Sequence, residues 1–201
     1  MAGLNLLQAD RSYTFRSYFE MPYEPDEILA EFGYRLVRQT LPLPTAALPL
    51  QTLPDLRRRL ESVLPLVSLT SETARRETLV APILMDVAAA CQCQLRIEYP
   101  LSVNNWLKGQ LNYLLRGQST VLVIEAKNDD LTRGFTQLAV EMIALAQSTE
   151  QSQLYGAVTI GNAWNFGRLD HPSRQILQDI ALYTVPNDLG ALTSGLLGIL
   201  S

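Results

Sequence analysis

Glu125 and Lys127 close the apolar run Val121-Leu122-Val123-Ile124. Such a run of β-branched and apolar residues reads as a buried strand, and side chains two residues apart on a strand share a face. An acid and a base are therefore forced together at the end of a core strand. Taking both out of water is costly unless they do chemistry, bind a metal or form a structural ion pair, so the pair marks a candidate site.

Further polar residues gather around it. A four-residue loop over 116–119 sets Leu115 opposite Thr120 and Asn112 opposite Val123, which puts Asn112 on the face of Glu125 and diagonal to it. Diagonal neighbours lie roughly 7–8 Å apart, within reach of longer side chains, whereas an odd-length loop would turn Asn112 to the opposite face. Gln137 and Glu141, spaced i and i+4, flank an apolar stripe of Phe135, Leu138, Met142 and Leu145. Taken alone, that pair reads as solvated helix surface. Glu77 stands in line with Val80, Leu84, Val87 and Cys91 at three-and-four spacing, extending an apolar stripe where a solvent-facing glutamate is not expected.

The elements that must hold these residues follow from pattern and punctuation. The aromatic-rich opening, from Tyr13 to Tyr34, contains a helix start at Pro25-Asp26-Glu27. Pro42, Pro44, Pro49 and Pro54 then break the chain before a short helix from Asp55, whose arginines Arg57 to Arg59 face solvent. Ser71 caps a helix that runs through Cys91 with a kink at Pro82. Strands follow at 94–99, 109–115 and 120–127, then a helix over 134–147 and a hairpin of 154–160 with 163–169. A helix from His171-Pro172 and a strand at 181–185 complete the pattern.

Length and composition bound the rest. The 201 residues, 47% hydrophobic and 18% charged, suit one α/β domain with an appendage. Residues 1–54 read as a mainly helical N-terminal extension with its Pro-rich connector, and 55–201 as the α/β core. No stretch reads as a leader or a membrane span, so the expected location is cytoplasmic. Cys91 and Cys93 are too close for an unstrained disulfide and too few for zinc, which leaves core packing. The net charge of −4 argues against a surface coated with phosphate-binding lysines, but the Arg57–Arg59 and Arg75–Arg76 clusters leave room for a local basic groove.

Glu77 on a helix, Asn112 on a strand, Glu125-Ala126-Lys127 on the next strand and Gln137 on a helix resemble, in this order, the PD-(D/E)XK nuclease superfamily. The resemblance spans roughly Ser71 to Leu169 and implies a restriction-endonuclease-like mixed sheet flanked by helices. The hairpin around Gly161 is similar to the sheet extension of such enzymes. It implies Mg²⁺ or Mn²⁺ held by Glu125, the Ala126 carbonyl, Asn112 and Glu77. Lys127 would orient the attacking water or offset phosphate charge, and Gln137 would steady the lysine or a phosphate oxygen.

The function implied is hydrolysis of DNA phosphodiester bonds, with DNA as partner, a homodimer as an assembly option and no membrane. Asn112 departs from the family pattern, which has aspartate there. The carboxamide keeps an oxygen ligand but removes a charge beside a dication, on the order of a few kcal/mol of attraction at surface-like dielectric. A degenerate nuclease, a weak one and one inactivated by this change are all compatible with the sequence, as is a catalytically silent nucleic-acid-binding or scaffolding protein on the same fold. Other residues carry less. His171 suits a helix start, Trp106 and Trp164 suit a core better than base stacking, and Asp129-Asp130 suits a solvated turn.

Overall fold

The computed structural model describes residues 6–117, 121–127, 129–149 and 151–201. The turn expected at Gln118-Ser119, and Thr120 beside it, lie outside the described residues. The six segments expected as strands join two unexpected ones in one eight-stranded sheet, and β4 (Val121–Ala126) lies in its interior. On one side β4 pairs antiparallel with β3 (Lys108–Arg116), which pairs in turn with the edge strand β2 (Gln94–Ser102). On the other side it pairs parallel with β5 (Gln153–Thr159). Two parallel neighbours need a crossover, and α6 (Leu131–Ser148) supplies it. The sheet continues through β6 (Ala163–Asp170), β7 (Gln175–Asp179) and β1 (Arg35–Gln39), with the two-residue β8 (Tyr183–Thr184) also paired to β6. The protein is therefore α/β, a mixed sheet flanked by helices.

Alternation along the strands divides the core between the two faces. Leu114, Val123 and Val158 pack beneath α6, while Tyr113, Leu115, Leu122 and Ile124 pack on the opposite face. That second face is covered by α3 (Thr52–Val63), α5 (Ala81–Cys91) and α7 (Leu189–Leu200). Outside α6 lie α1 (Phe15–Glu20) and α2 (Pro25–Glu31), so α6 is enclosed on both sides. Residues of the N-terminal segment thus belong to the same layers as the rest: α1 and α2 cover α6, and β1 is a strand of the common sheet.

Several sequence expectations need correction. The segment after His171 forms a turn and then β7 rather than a helix. His171 Nδ1 hydrogen-bonds the Tyr34 hydroxyl at 2.5 Å and so ties β1's approach to this turn instead of capping a helix. The helical run before Cys91 is interrupted just ahead of Pro82. The short helix α4 (Glu72–Arg75) passes into a π turn over Arg76–Val80, where the Ala81 N–H reaches back five residues to the Arg76 carbonyl. The wide turn absorbs the hydrogen bond that Pro82 cannot donate. Cys91 and Cys93 form a disulfide as well as packing against the core, because Gln92 between them is left-handed, at φ 51°, and brings their Cα atoms to 5.2 Å. Among the described residues no helix is long and apolar enough to cross a membrane.

Candidate active site

The carboxyl end of β4 opens into a cleft of about 480 Å³ lined by Glu125, Lys127, Asn112 and Gln137, with α1 along one wall. Chain entry to α6 is set by Asp130, whose Oδ1 accepts from the Arg133 N–H at 2.9 Å, so this aspartate caps the helix. One turn in, Gly134 leaves the space into which Lys127 packs: a Cβ there would lie 3.0 Å from Lys127 Cγ and 2.7 Å from Val158 Cγ2. Gly109 plays the same part for α1. It adopts φ 150°, and a Cβ would lie 2.7 Å from the ring of the buried Phe15.

At the floor of the cleft four polar side chains meet out of water. Lys127 Nζ lies 2.7 Å from Glu125 Oε1, with the Glu125 side chain 1% and the Lys127 side chain 11% exposed. Gln137 Nε2 donates to Glu125 Oε1 and to Glu141 Oε1, both at 2.8 Å. The Lys127 ammonium also sits 4.8 Å above the Phe19 ring, a cation–π contact that keeps it in the cleft. Gln137 Oε1 remains buried without a hydrogen-bond partner among the described residues, whereas the Glu125 and Glu141 carboxyls hydrogen-bond each other. Burial pushes the Glu125 carboxyl up, opposed by the charge and hydrogen bond of Lys127. Glu141 is pushed well up by burial first and by the Glu125 charge second. A single ammonium facing two buried carboxyls balances one negative charge, so Glu141 is the partner that keeps its proton.

The strand register brings Asn112 closer than the sequence arithmetic does. Arg116 faces Val121 and Tyr113 faces Ile124. The pairing is displaced by one residue on each strand, so it keeps its parity and sets Asn112 directly across from Glu125 rather than diagonal. Glu77 is not brought in. It is exposed, and the cleft wall carries Glu72 instead, close enough for its charge to act on Glu125. The π turn is the physical reason: its extra residue per turn rotates everything before Val80 off the three-and-four stripe.

Gln137 and Glu141 correct the reading of a solvated helix surface. Both are buried, because α6 has the sheet on one side and α1 and α2 on the other. The signal that could find Glu141 is its place within an otherwise apolar span from Leu138 to Ala146. Arg76, from the Arg75–Arg76 cluster that left room for a basic groove, lines the cleft, as do Arg16, Phe19 and Glu98, which their local sequence does not mark. Trp164 is fully buried, with Nε1 donating to the Gly161 carbonyl at 3.1 Å, and Trp106 is partly buried against the α6-side core. Asp129 lies on the cleft wall.

Compared with protein-family models, with curated proteins and with solved structures, the chain shows no match.

Proposed function

We propose that the cleft belongs to a metal-dependent nuclease of the PD-(D/E)XK kind, in a restriction-endonuclease-like arrangement of the sheet, and that it hydrolyses DNA phosphodiester bonds with activity reduced by Asn112. The observation that supports this reading is the buried Glu125–Lys127 pair at the end of β4, with Asn112 lining the same cleft one residue beyond the last β3–β4 pair and Gln137 reaching in from α6.

The charge of the cleft favours a cation before a polyanion. Arg16, Arg76 and Lys127 stand against Glu72, Glu98, Glu125 and Asp129, so the lining by itself repels a phosphate backbone. The donor chemistry suits a hard ion: the buried Glu125 carboxylate, the Asn112 side chain and the Ala126 carbonyl at the strand end are all oxygen donors. No group of three or more His, Cys, Asp and Glu side chains is gathered for a metal among the described residues. The set therefore fits an ion that keeps several of its waters, as Mg²⁺ or Mn²⁺ does, rather than a closed cage. Such an ion supplies charge neutralisation at the phosphate and a more acidic water. Gln137 holds the Glu125 carboxylate by one oxygen. Lys127 orients the nucleophile or offsets phosphate charge, and Glu72 takes the outer position for which Glu77 is not placed.

Asn112 favours a second reading, a catalytically silent nucleic-acid-binding or scaffolding protein, because it removes the charge that would anchor the ion. One experiment separates the two. Asn112→Asp is expected to tighten Mn²⁺ binding by about tenfold or more, equivalent to ~1.4 kcal/mol, read as a larger metal-induced rise in melting temperature. It is also expected to raise cleavage of supercoiled, duplex or single-stranded DNA, and adding Lys127→Ala should abolish that gain. No metal response and no cleavage by Asn112→Asp on any substrate would leave only the binding module.

A further inference from the structure

Arg75 and Arg76 are neighbours in sequence with different tasks. Arg75 is taken up by the backbone, its Nε donating to the Leu69 carbonyl at 2.7 Å and its Nη1 to the Ile160 carbonyl at 3.0 Å. Arg76 begins the π turn and lines the cleft. Its side chain is 14% exposed, its guanidinium lies 5.4 Å above the Tyr113 ring, and Nη1 donates to Glu98 Oε1 at 3.1 Å. Its Nε is buried with no hydrogen-bond partner among the described residues. The guanidinium is thus fixed in place by Glu98 and by the Tyr113 hydroxyl, which also accepts from it, and it is largely desolvated with Nε still lacking an acceptor among the described residues.

Glu98, its partner, is unusual in its own right. The side chain is 52% exposed, and the backbone is left-handed at φ 51° in the middle of β2, a conformation that costs a non-glycine residue of order 1–3 kcal/mol. The flanking pairs Ile97–Tyr113 and Tyr99–Leu111 set Glu98 at the level of Asn112. A half-exposed carboxylate contributes little as a salt bridge and exchanges readily, whereas the planar guanidinium fork matches a phosphate with two parallel hydrogen bonds.

We propose that Arg76 is the phosphate-gripping arginine of the cleft, binding a backbone phosphate of the nucleic-acid strand and releasing Glu98 when the strand arrives. This rests on reading the cleft as a nucleic-acid site. Arg76 touches the substrate away from the reacting bond, so it sets affinity and strand position.

The test is fluorescence anisotropy of a short labelled DNA strand and of its duplex, with Ca²⁺ in place of Mg²⁺ because its larger, looser coordination holds phosphates without the tight octahedral geometry. Arg76→Gln should weaken binding about tenfold and lower the salt slope by about one. Glu98→Gln should tighten it severalfold in the wild-type background but much less beside Arg76→Gln, a coupling that a general charge effect would not produce. Arg58→Gln, on the exposed face of α3, should leave binding unchanged. Unaltered affinity in Arg76→Gln, or equal gains from Glu98→Gln in both backgrounds, overturns the role of Arg76 and leaves the nuclease reading standing. Wild-type protein that binds neither DNA overturns both. Should Arg76→Gln fail to melt cooperatively, Arg76→Lys takes its place: a smaller gain from Glu98→Gln beside it supports the role, and an equal gain overturns it.

Discussion

Val158 on β5 has Glu125 beside it on β4 and Asn165 beside it on β6, so two buried polar clusters share one row of the sheet. Around Asn165 every group finds a partner. Its Nδ2 donates to the carbonyls of Asp179 and Ala181 at 2.8 and 3.0 Å, its Oδ1 accepts from Gln178, and Asp179 Oδ1 accepts from the N–H groups of Leu41 and Ala181. Around Glu125 partners run short: two buried carboxyls face one ammonium and share one proton, and Gln137 Oε1 has no hydrogen-bond partner among the described residues. A satisfied cluster locks the chain, here β7 and the segments on either side of it. A partly satisfied one, at the floor of a cleft, keeps desolvated groups that are not spent on locking the chain.

The contrast is testable through stability. The largest effect is expected at the satisfied cluster, where Asp179→Ala strands two backbone N–H groups in a largely buried setting. It should cost about 3 kcal/mol in urea denaturation, and a loss below about 1 kcal/mol would show that this network is not the lock described.

At the partly satisfied cluster the sign should reverse. Glu141→Gln keeps the shape, removes the acid that burial holds protonated, and should stabilise the fold by about 1 kcal/mol, or roughly 3 °C, at neutral pH and above. Because the Glu141 pKa is raised in the folded protein, the unfolded chain loses this proton first as pH rises past about 4.3. The wild type therefore holds this contribution fully below that pH and loses it as pH climbs toward the folded-state pKa. The melting-temperature gap between Glu141→Gln and wild type should widen with pH over that window. A gap that is constant or narrows would sink the assignment of the proton to Glu141.

The smallest effects separate Glu72 from Glu77. Glu77→Gln, on the exposed face, should change stability by less than about 0.5 kcal/mol and leave the Mn²⁺-induced rise in melting temperature intact. Glu72→Gln should be equally mild for stability yet diminish that rise. The same metal response in both variants would remove Glu72 from the site.

The sequence alone determined what depends on local pattern. The apolar run ending in Glu125 and Lys127, the strand starting at Gln94, the Ser71 cap and the long amphipathic helix are each legible in neighbouring residues. The parity that sets Asn112 on the face of Glu125 is legible too, because a strand has period two and the register is displaced by one residue on each strand. Only the tertiary structure decided the rest. A π turn replaced Glu77 with Glu72, since one extra residue in a helical turn rotates a whole stripe and leaves little trace in composition. Helices α1 and α2 buried Gln137 and Glu141, turning an expected solvated edge into a dry network. β1 and β7 are short strands whose pairing partners lie more than a hundred residues apart in the chain. Burial, register and the charge of a cleft are properties of what packs against a residue, and in this protein those neighbours come from distant parts of the chain.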